Sequence, residues 1–202
     1  CGAPWTVATY MIAGRGSPDQ AAARLFALQH PAAFAHLIDV LVEASAAYLV
    51  AQLRGGADAV QIFESWAANL DEAAFRGWVI EPNRRLVEAV RRQVPGAVIT
   101  GFPRGSGAML AEYVRITGVS AVGLDTMVPA GWAHEALPPT LPVQGNLDPL
   151  RLVVGGPAME DRARDIIAAL ATRPHVFNLG HGIVPETPIA HVERLIELVK
   201  RG

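Results

Sequence analysis

One histidine sits between two glycines at Gly180-His181-Gly182, directly after the apolar run His175-Val176-Phe177. The run reads as a short strand, and Val184-Pro185-Glu186-Thr187-Pro188 leads from it toward a final helix. Flanking glycines let the backbone take dihedrals that other residues avoid, and let another molecule come close. A histidine held there, with a pKa near neutrality, is a candidate polar contact. The same residues also read as a plain strand-to-helix turn with an incidental histidine. Four other apolar runs end in polar or glycine-rich stretches: Phe63-Glu64-Ser65-Trp66, Phe102-Pro103-Arg104-Gly105-Ser106, Asp125-Thr126 and Gln144-Gly145-Asn146-Leu147-Asp148.

Each of these residues has a bland reading beside the chemical one. Asp148 before Pro149 suits a helix N-cap with proline at the first helical position better than a catalytic acid. Asp125 suits a turn cap or a site residue equally well. Glu64 and Ser65 pair an acid with a hydroxyl, but neighbours on a strand point to opposite faces, so only one of them faces a site. Tyr48 falls on an apolar helical face and is expected in the core, whereas pattern alone does not place Tyr10. His30, His36, His134 and His191 lie on helices or helix ends, as surface or packing residues. Arg104 and Arg15 are the cations that the strand-end loops offer.

The elements that would position these ends alternate in type. A helix is expected over 18–30, with Ser17 as N-cap and Pro18 at its first position. Residues 32–54 carry a near-continuous apolar face at helical spacing (Phe34, Leu37, Ile38, Leu41, Val42, Ser45, Tyr48, Leu49). Strands are expected over 57–63, 97–102, 121–125, 141–146 and 175–179. Helices are expected over 71–78, 81–93, 107–116, 130–136, 158–172 and 188–201. Short apolar strands alternating with helices are the pattern of a parallel sheet covered on its faces. The connections after the helices are bland, such as Gly55-Gly56-Ala57 and Val94-Pro95-Gly96. Polar residues therefore collect at the strand C-termini, as they do on the active face of a (β/α)8 barrel. No glycine fingerprint for a dinucleotide follows the first strand, and no P-loop is present.

The chain of 202 residues is long enough for one domain with a substantial core. It is 51% hydrophobic, with mean hydropathy +0.26. No uncharged apolar run reaches the roughly 18 residues of a membrane span, and no secretory signal is visible. The net charge of −2 argues against a nucleic-acid footprint. The only cysteine is Cys1, which leaves no intrachain disulfide or multi-cysteine metal site and fits a reducing, cytoplasmic setting. Cys1-Gly2-Ala3-Pro4-Trp5 looks like the exit from a strand, so residues are expected upstream.

These stretches together resemble the uroporphyrinogen decarboxylase family. Cys1-Gly2-Ala3-Pro4-Trp5-Thr6 with Thr9-Tyr10-Met11 is similar to one family segment. Gln61-Ile62-Phe63-Glu64-Ser65-Trp66-Ala67, Val122-Gly123-Leu124-Asp125, Val143-Gln144-Gly145-Asn146-Leu147-Asp148-Pro149 and Phe177–Gly182 are similar to four others, in the family's order and spacing. Arg104 stands where many members have Lys, and Ala68 where Gly is usual. The resemblance implies a partial (β/α)8 TIM barrel with about five of eight parallel strands, residues 1–202 forming a single domain. It implies decarboxylation of the four acetate arms of uroporphyrinogen to coproporphyrinogen, in porphyrin and haem biosynthesis. It further implies a homodimer, no metal and no prosthetic group.

Residue by residue, Tyr10, Ser65 and His181 match positions that contact substrate in the family, and Phe63 matches a pocket-lining residue. The family's aspartate, which holds the pyrrole NH groups, and its arginine-rich loop would lie upstream of Cys1. No catalytic residue is therefore expected within this chain. The resemblance covers roughly the last three-fifths of the enzyme. Five strands cannot close an eight-stranded barrel, and open edges invite association. The chain alone is expected to be inactive. Two other readings are weighed. A zinc-dependent corrinoid or thiol methyltransferase of the same superfamily would need a His-x-Cys pair where this chain has Phe102-Pro103-Arg104. A non-catalytic tetrapyrrole-binding paralogue would need no upstream machinery.

Overall fold

The structure is a computed structural model that describes residues 1–17 and 19–201. The expected proline start of the second helix, at Pro18, lies outside the described residues. The chain divides into two compact units, Cys1–Ser120 and Ala121–Gly202.

In the first unit, β1 (Val60–Glu64) pairs in parallel with β2 (Ile99–Pro103), in a register that sets Val60 against Ile99 and Glu64 against Pro103. Gly2 bridges Phe63 in parallel, and the Cys1 ammonium donates to the Gln61 carbonyl at 2.7 Å. Helix α1 (Pro4–Ala13) follows, with proline at its first position and the left-handed Gly14 closing it. Helices α2 (Ala21–Gln29) and α3 (Pro31–Arg54) come next.

Helix α3 buries Phe34, Ile38, Leu41, Val42, Ala46, Leu49 and Val50, and packs on α5 (Glu81–Gln93) and α1. By length and composition it is also apolar enough to cross a membrane, although it carries Asp39 and Glu43. Tyr48 is not core. One helical step of roughly 100° from Leu49 turns its ring outward, and it is 54% exposed. Trp5, Trp78 and Phe34 form an aromatic cluster, with Trp5 stacked on Trp78 at 5.3 Å.

The helices expected over 71–78 and 81–93 form one continuous run. Asp71 caps it by accepting from the Ala74 N–H at 2.8 Å. The short α4 (Glu72–Ala74) widens into a π-helical segment, Phe75–Ile80, before α5. The wider turn brings residues four and five apart onto one face, so Phe75, Val79 and Ile80 are all buried. Ser17 is not the N-cap of α2. Its hydroxyl donates to Asp19, and Gln20, in a left-handed conformation, precedes the helix. A 3-10 turn (Gly107–Met109) and α6 (Leu110–Thr117) complete the unit.

The second unit holds β3 (Ala121–Gly123), β4 (Val143–Gln144) and β5 (His175–Val176), paired in parallel in that order. Helices α7 (Ala130–Ala136), α8 (Pro149–Val154), α9 (Gly156–Leu170) and α10 (Ile189–Arg201) surround them. The sequence reading of Asp148-Pro149 as a helix start is met by α8, but its break at Gly155 was not foreseen. There the backbone turns at φ 69°, and a Cβ would meet the His191 ring at 2.6 Å. Only glycine lets α8 end against that ring, whose Nδ1 lies 3.0 Å from the Leu152 carbonyl oxygen.

Candidate functional site

In the first unit, strand alternation sorts the end of β1. Val60, Ile62 and Glu64 point to the buried, helix-covered side. Phe63 points the other way, is 42% exposed, and meets the Phe102 ring edge-on at 6.2 Å. Ser65 lies in the turn just beyond the strand and is half-buried. Tyr10, near the C-terminus of α1, is exposed and packs edge-on against Trp66 at 6.2 Å. The structure thus gathers Tyr10, Phe63 and Ser65 at one end of this unit. Arg104 is half-buried beside them, its backbone N–H donating to the Glu64 carbonyl at 3.0 Å.

Two side chains of α1 fix that arrangement. The Trp5 indole N–H donates to the Trp66 carbonyl at 2.9 Å. Thr6 donates twice to Glu64 Oε1, from its backbone N–H at 2.8 Å and from its hydroxyl at 2.5 Å. Asn83 Nδ2 donates to Glu64 Oε2 at 3.2 Å and to the Val79 carbonyl at 2.8 Å. Glu64 is completely buried, and that burial pushes its pKa up to about 7 against the pull of its three donors. Tyr113, also completely buried, is pushed up by burial and then by the Glu64 charge. Of the adjacent Glu64 and Ser65, it is the acid that turns away from the exposed strand face. Sequence reading missed this network. Its one visible signal is a glutamate in an apolar strand.

In the second unit, the end of β5 is held by backbone. Leu147 bridges Leu179 in parallel, the Leu147 N–H donates to Asn178, and the Gly180 N–H returns to Leu147 at 2.8 Å. Gly180 packs so tightly that a Cβ would lie 2.5 Å from the Thr126 backbone nitrogen. Gly182 faces open space and is not among the positive-φ glycines, so only the first of the two flanking glycines is required. His181 is exposed between them. Asn146, buried, donates to the carbonyls of Asp125 and Val128. Asp125 caps a turn by accepting from Met127 N–H at 2.7 Å. Asp148 is the N-cap of α8, accepting from Leu150 N–H at 2.9 Å.

The expected surface or packing histidines fall in such places. His36 and His134 are exposed, His30 lies against Phe26, and His191 packs under Gly155. Among the described residues, no three His, Cys, Asp or Glu side chains converge as a metal-ligand set.

The family model described as uroporphyrinogen decarboxylase (URO-D) matches residues 1–202. A protein of Sphingopyxis alaskensis named uroporphyrinogen decarboxylase is 54% identical over 201 residues, covering 100% of this chain and 59% of the relative. One of the same name from a Chelativorans species is 55% identical over 202 residues, with the same coverage. The chain therefore spans about three-fifths of the length of the curated relatives it matches. Among solved structures, a methyltransferase from Methanosarcina mazei superposes with a TM-score of 0.74 at 20% identity, covering 88% of this chain and 52% of that one. That likeness bears on fold alone and agrees with parallel β/α units from part of a (β/α)8 barrel. The chain belongs to the uroporphyrinogen decarboxylase family.

Proposed function

We propose that the protein in its full-length form removes carbon dioxide from the four acetate side chains of uroporphyrinogen, giving coproporphyrinogen in porphyrin and haem biosynthesis. The observation that carries this reading is the match of the whole chain to the family, with relatives of that name more than half identical. Residues 1–202 would serve as one domain, the C-terminal part of the barrel, in a cytoplasmic homodimer. The family resemblance supports those last assignments.

The chemistry needs an electron sink and protons. Protonation of the pyrrole carbon beside an acetate arm makes the ring an acceptor. The bond from the arm's CH2 to its carboxylate then breaks, carbon dioxide leaves, and the electron pair flows into the ring. A proton delivered to the resulting methylene makes a methyl group, and the ring gives up the proton it took. The substrate supplies its own sink, so the protein's task is to hold charge and place proton donors.

Uroporphyrinogen carries eight carboxylates. The Tyr10 phenol, the Ser65 hydroxyl and the His181 imidazole act first as hydrogen-bond donors to them, and Phe63 offers an apolar wall to the macrocycle. All four side chains are exposed or half-buried, Tyr10 near the end of α1 and the others at or just beyond strand ends, as access for a ligand requires. Arg104 and Arg15 are too few cations for eight carboxylates, since each bidentate contact takes one guanidinium. Residues 1–202 by themselves are therefore expected to be inactive.

Anaerobic incubation of the full-length protein with uroporphyrinogen, followed by chromatography of the oxidised products, tests the reading. Stepwise loss of four carboxylates is expected. Unchanged octacarboxylate would overturn it, and unchanged octacarboxylate with tight binding would point instead to a tetrapyrrole-binding paralogue.

A further inference from the structure

The first turn of α1 has a capping problem. Its N-cap is Ala3, which has no side chain able to accept a hydrogen bond. The leading N–H groups of a helix have no partner within the helix. Pro4 removes one such donor, having no N–H, and the Thr6 N–H would be left in a buried place. Glu64 fills the vacancy from another element. Its Oε1 accepts both the Thr6 N–H and the Thr6 hydroxyl, so a side chain of β1 supplies the cap that Ala3 cannot. Its other oxygen is held by Asn83 on α5.

A single buried carboxyl thereby joins three elements. On β1 it sits between Phe63 and Ser65. On α1 it grips the turn that precedes Tyr10. Trp5 adds a second tie to the same loop through the Trp66 carbonyl, and Tyr10 rests on the Trp66 ring. None of the proposed substrate contacts involves Glu64, which solvent and substrate cannot reach.

We propose that Glu64 is a positioning residue: by capping α1 it locks the helix that carries Tyr10 onto the strand end that carries Phe63 and Ser65. The assignment of what those residues bind rests on the function proposed above, whereas the lock itself does not.

Three donors converge on the carboxyl, two on Oε1 and one on Oε2, so both oxygens accept, whereas an amide offers only one accepting oxygen. Glu64→Gln keeps an acceptor toward Thr6 but sets an NH2 group against Asn83 Nδ2. Thr6→Val is close in shape and keeps the N–H bond but loses the hydroxyl bond. Thr6→Ser restores that hydroxyl.

The experiment uses the full-length protein, its Glu64→Gln, Thr6→Val and Thr6→Ser variants, and two readouts taken well below each melting temperature. Amide exchange over residues 4–13 and 61–67 reports the lock without any substrate. Steady-state kinetics with uroporphyrinogen reports its consequence. Glu64→Gln and Thr6→Val are expected to speed exchange in both segments and to raise KM by about tenfold, as small misplacements of binding groups do, while Thr6→Ser returns most of both. A purely structural Glu64 would lower the melting temperature and leave KM and local exchange as in the parent. That result overturns the proposal. If Glu64→Gln fails to fold, the Thr6 pair decides. If the parent has no decarboxylase activity, the function reading fails and exchange alone decides the lock: unchanged exchange refutes it and faster exchange supports it.

Discussion

The ends of β1 and β5 are held by opposite means. At β1 the polar loop is tied down by side chains: the buried Glu64 accepts from Thr6 and Asn83, and the Trp5 indole N–H donates to the Trp66 carbonyl. At β5 the chain is tied down by its own backbone, zipped to Leu147 and pressed onto Thr126 through a glycine. Side-chain ties carry titratable groups and so bring pH dependence with them. Backbone ties carry none, but they tolerate no added atoms.

The sharpest way to break the β5 end is Gly180→Ala. The new Cβ would lie 2.5 Å from the Thr126 nitrogen, and backbone cannot swing aside as a side-chain tip does. A loss of about 3 kcal/mol is expected, the upper end for overpacking, read as a fall in denaturation midpoint at every pH. The mirror experiment at β1 is Glu64→Gln, read against pH. The folded pKa of about 7 lies above the ordinary carboxyl value of 4.5, so the folded protein holds the proton more tightly than the unfolded chain does. Stability from this group is full below pH 4.5 and is lost as pH rises through 7. The parent is expected to lose about 3 kcal/mol relative to Glu64→Gln between those limits. Equal pH profiles for the two proteins would show that Glu64 is already ionised at low pH.

Smaller effects sharpen the contrast. Trp5→Phe keeps most of the aromatic cluster but leaves the Trp66 carbonyl without its donor, at a cost of about 1 kcal/mol, measurable in urea titration. Arg84→Ala removes the exposed pairs to Glu81 and Glu88 on α5. Its cost is expected below about 1 kcal/mol, because solvent screens exposed pairs. Burial, rather than the number of bonds, separates Glu64 from Arg84.

Much of this was legible from pattern. Helices α5 and α7 have the expected bounds, because each carries one clean apolar stripe or a clear stop. The polar strand ends were visible as punctuation after apolar runs. What escaped depends on neighbours distant in the chain. The outward turn of Tyr48 depends on where α5 lies. The break before α9 depends on His191, some 36 residues further on, filling the space beside Gly155. The π-helical turn depends on the burial of Phe75 with Val79 and Ile80. Glu64 is the clearest case: adjacent to Ser65, it could have been the exposed acid of a site, and only the placement of Thr6 and Asn83 makes it a buried cap. The unequal roles of Gly180 and Gly182 were hidden likewise, since only the approach of Thr126 distinguishes them.

The claim that ties fold to function is that the exposed Tyr10, held against the β1 end, binds substrate carboxylate. Its most direct measurement is KM for uroporphyrinogen in full-length Tyr10→Phe, with Tyr48→Phe, on an exposed face of α3, as control. Loss of one phenol-to-carboxylate hydrogen bond is expected to raise KM by about tenfold with an unchanged melting temperature, while the control matches the parent. A Tyr10→Phe protein with the parent's KM and kcat would contradict the account.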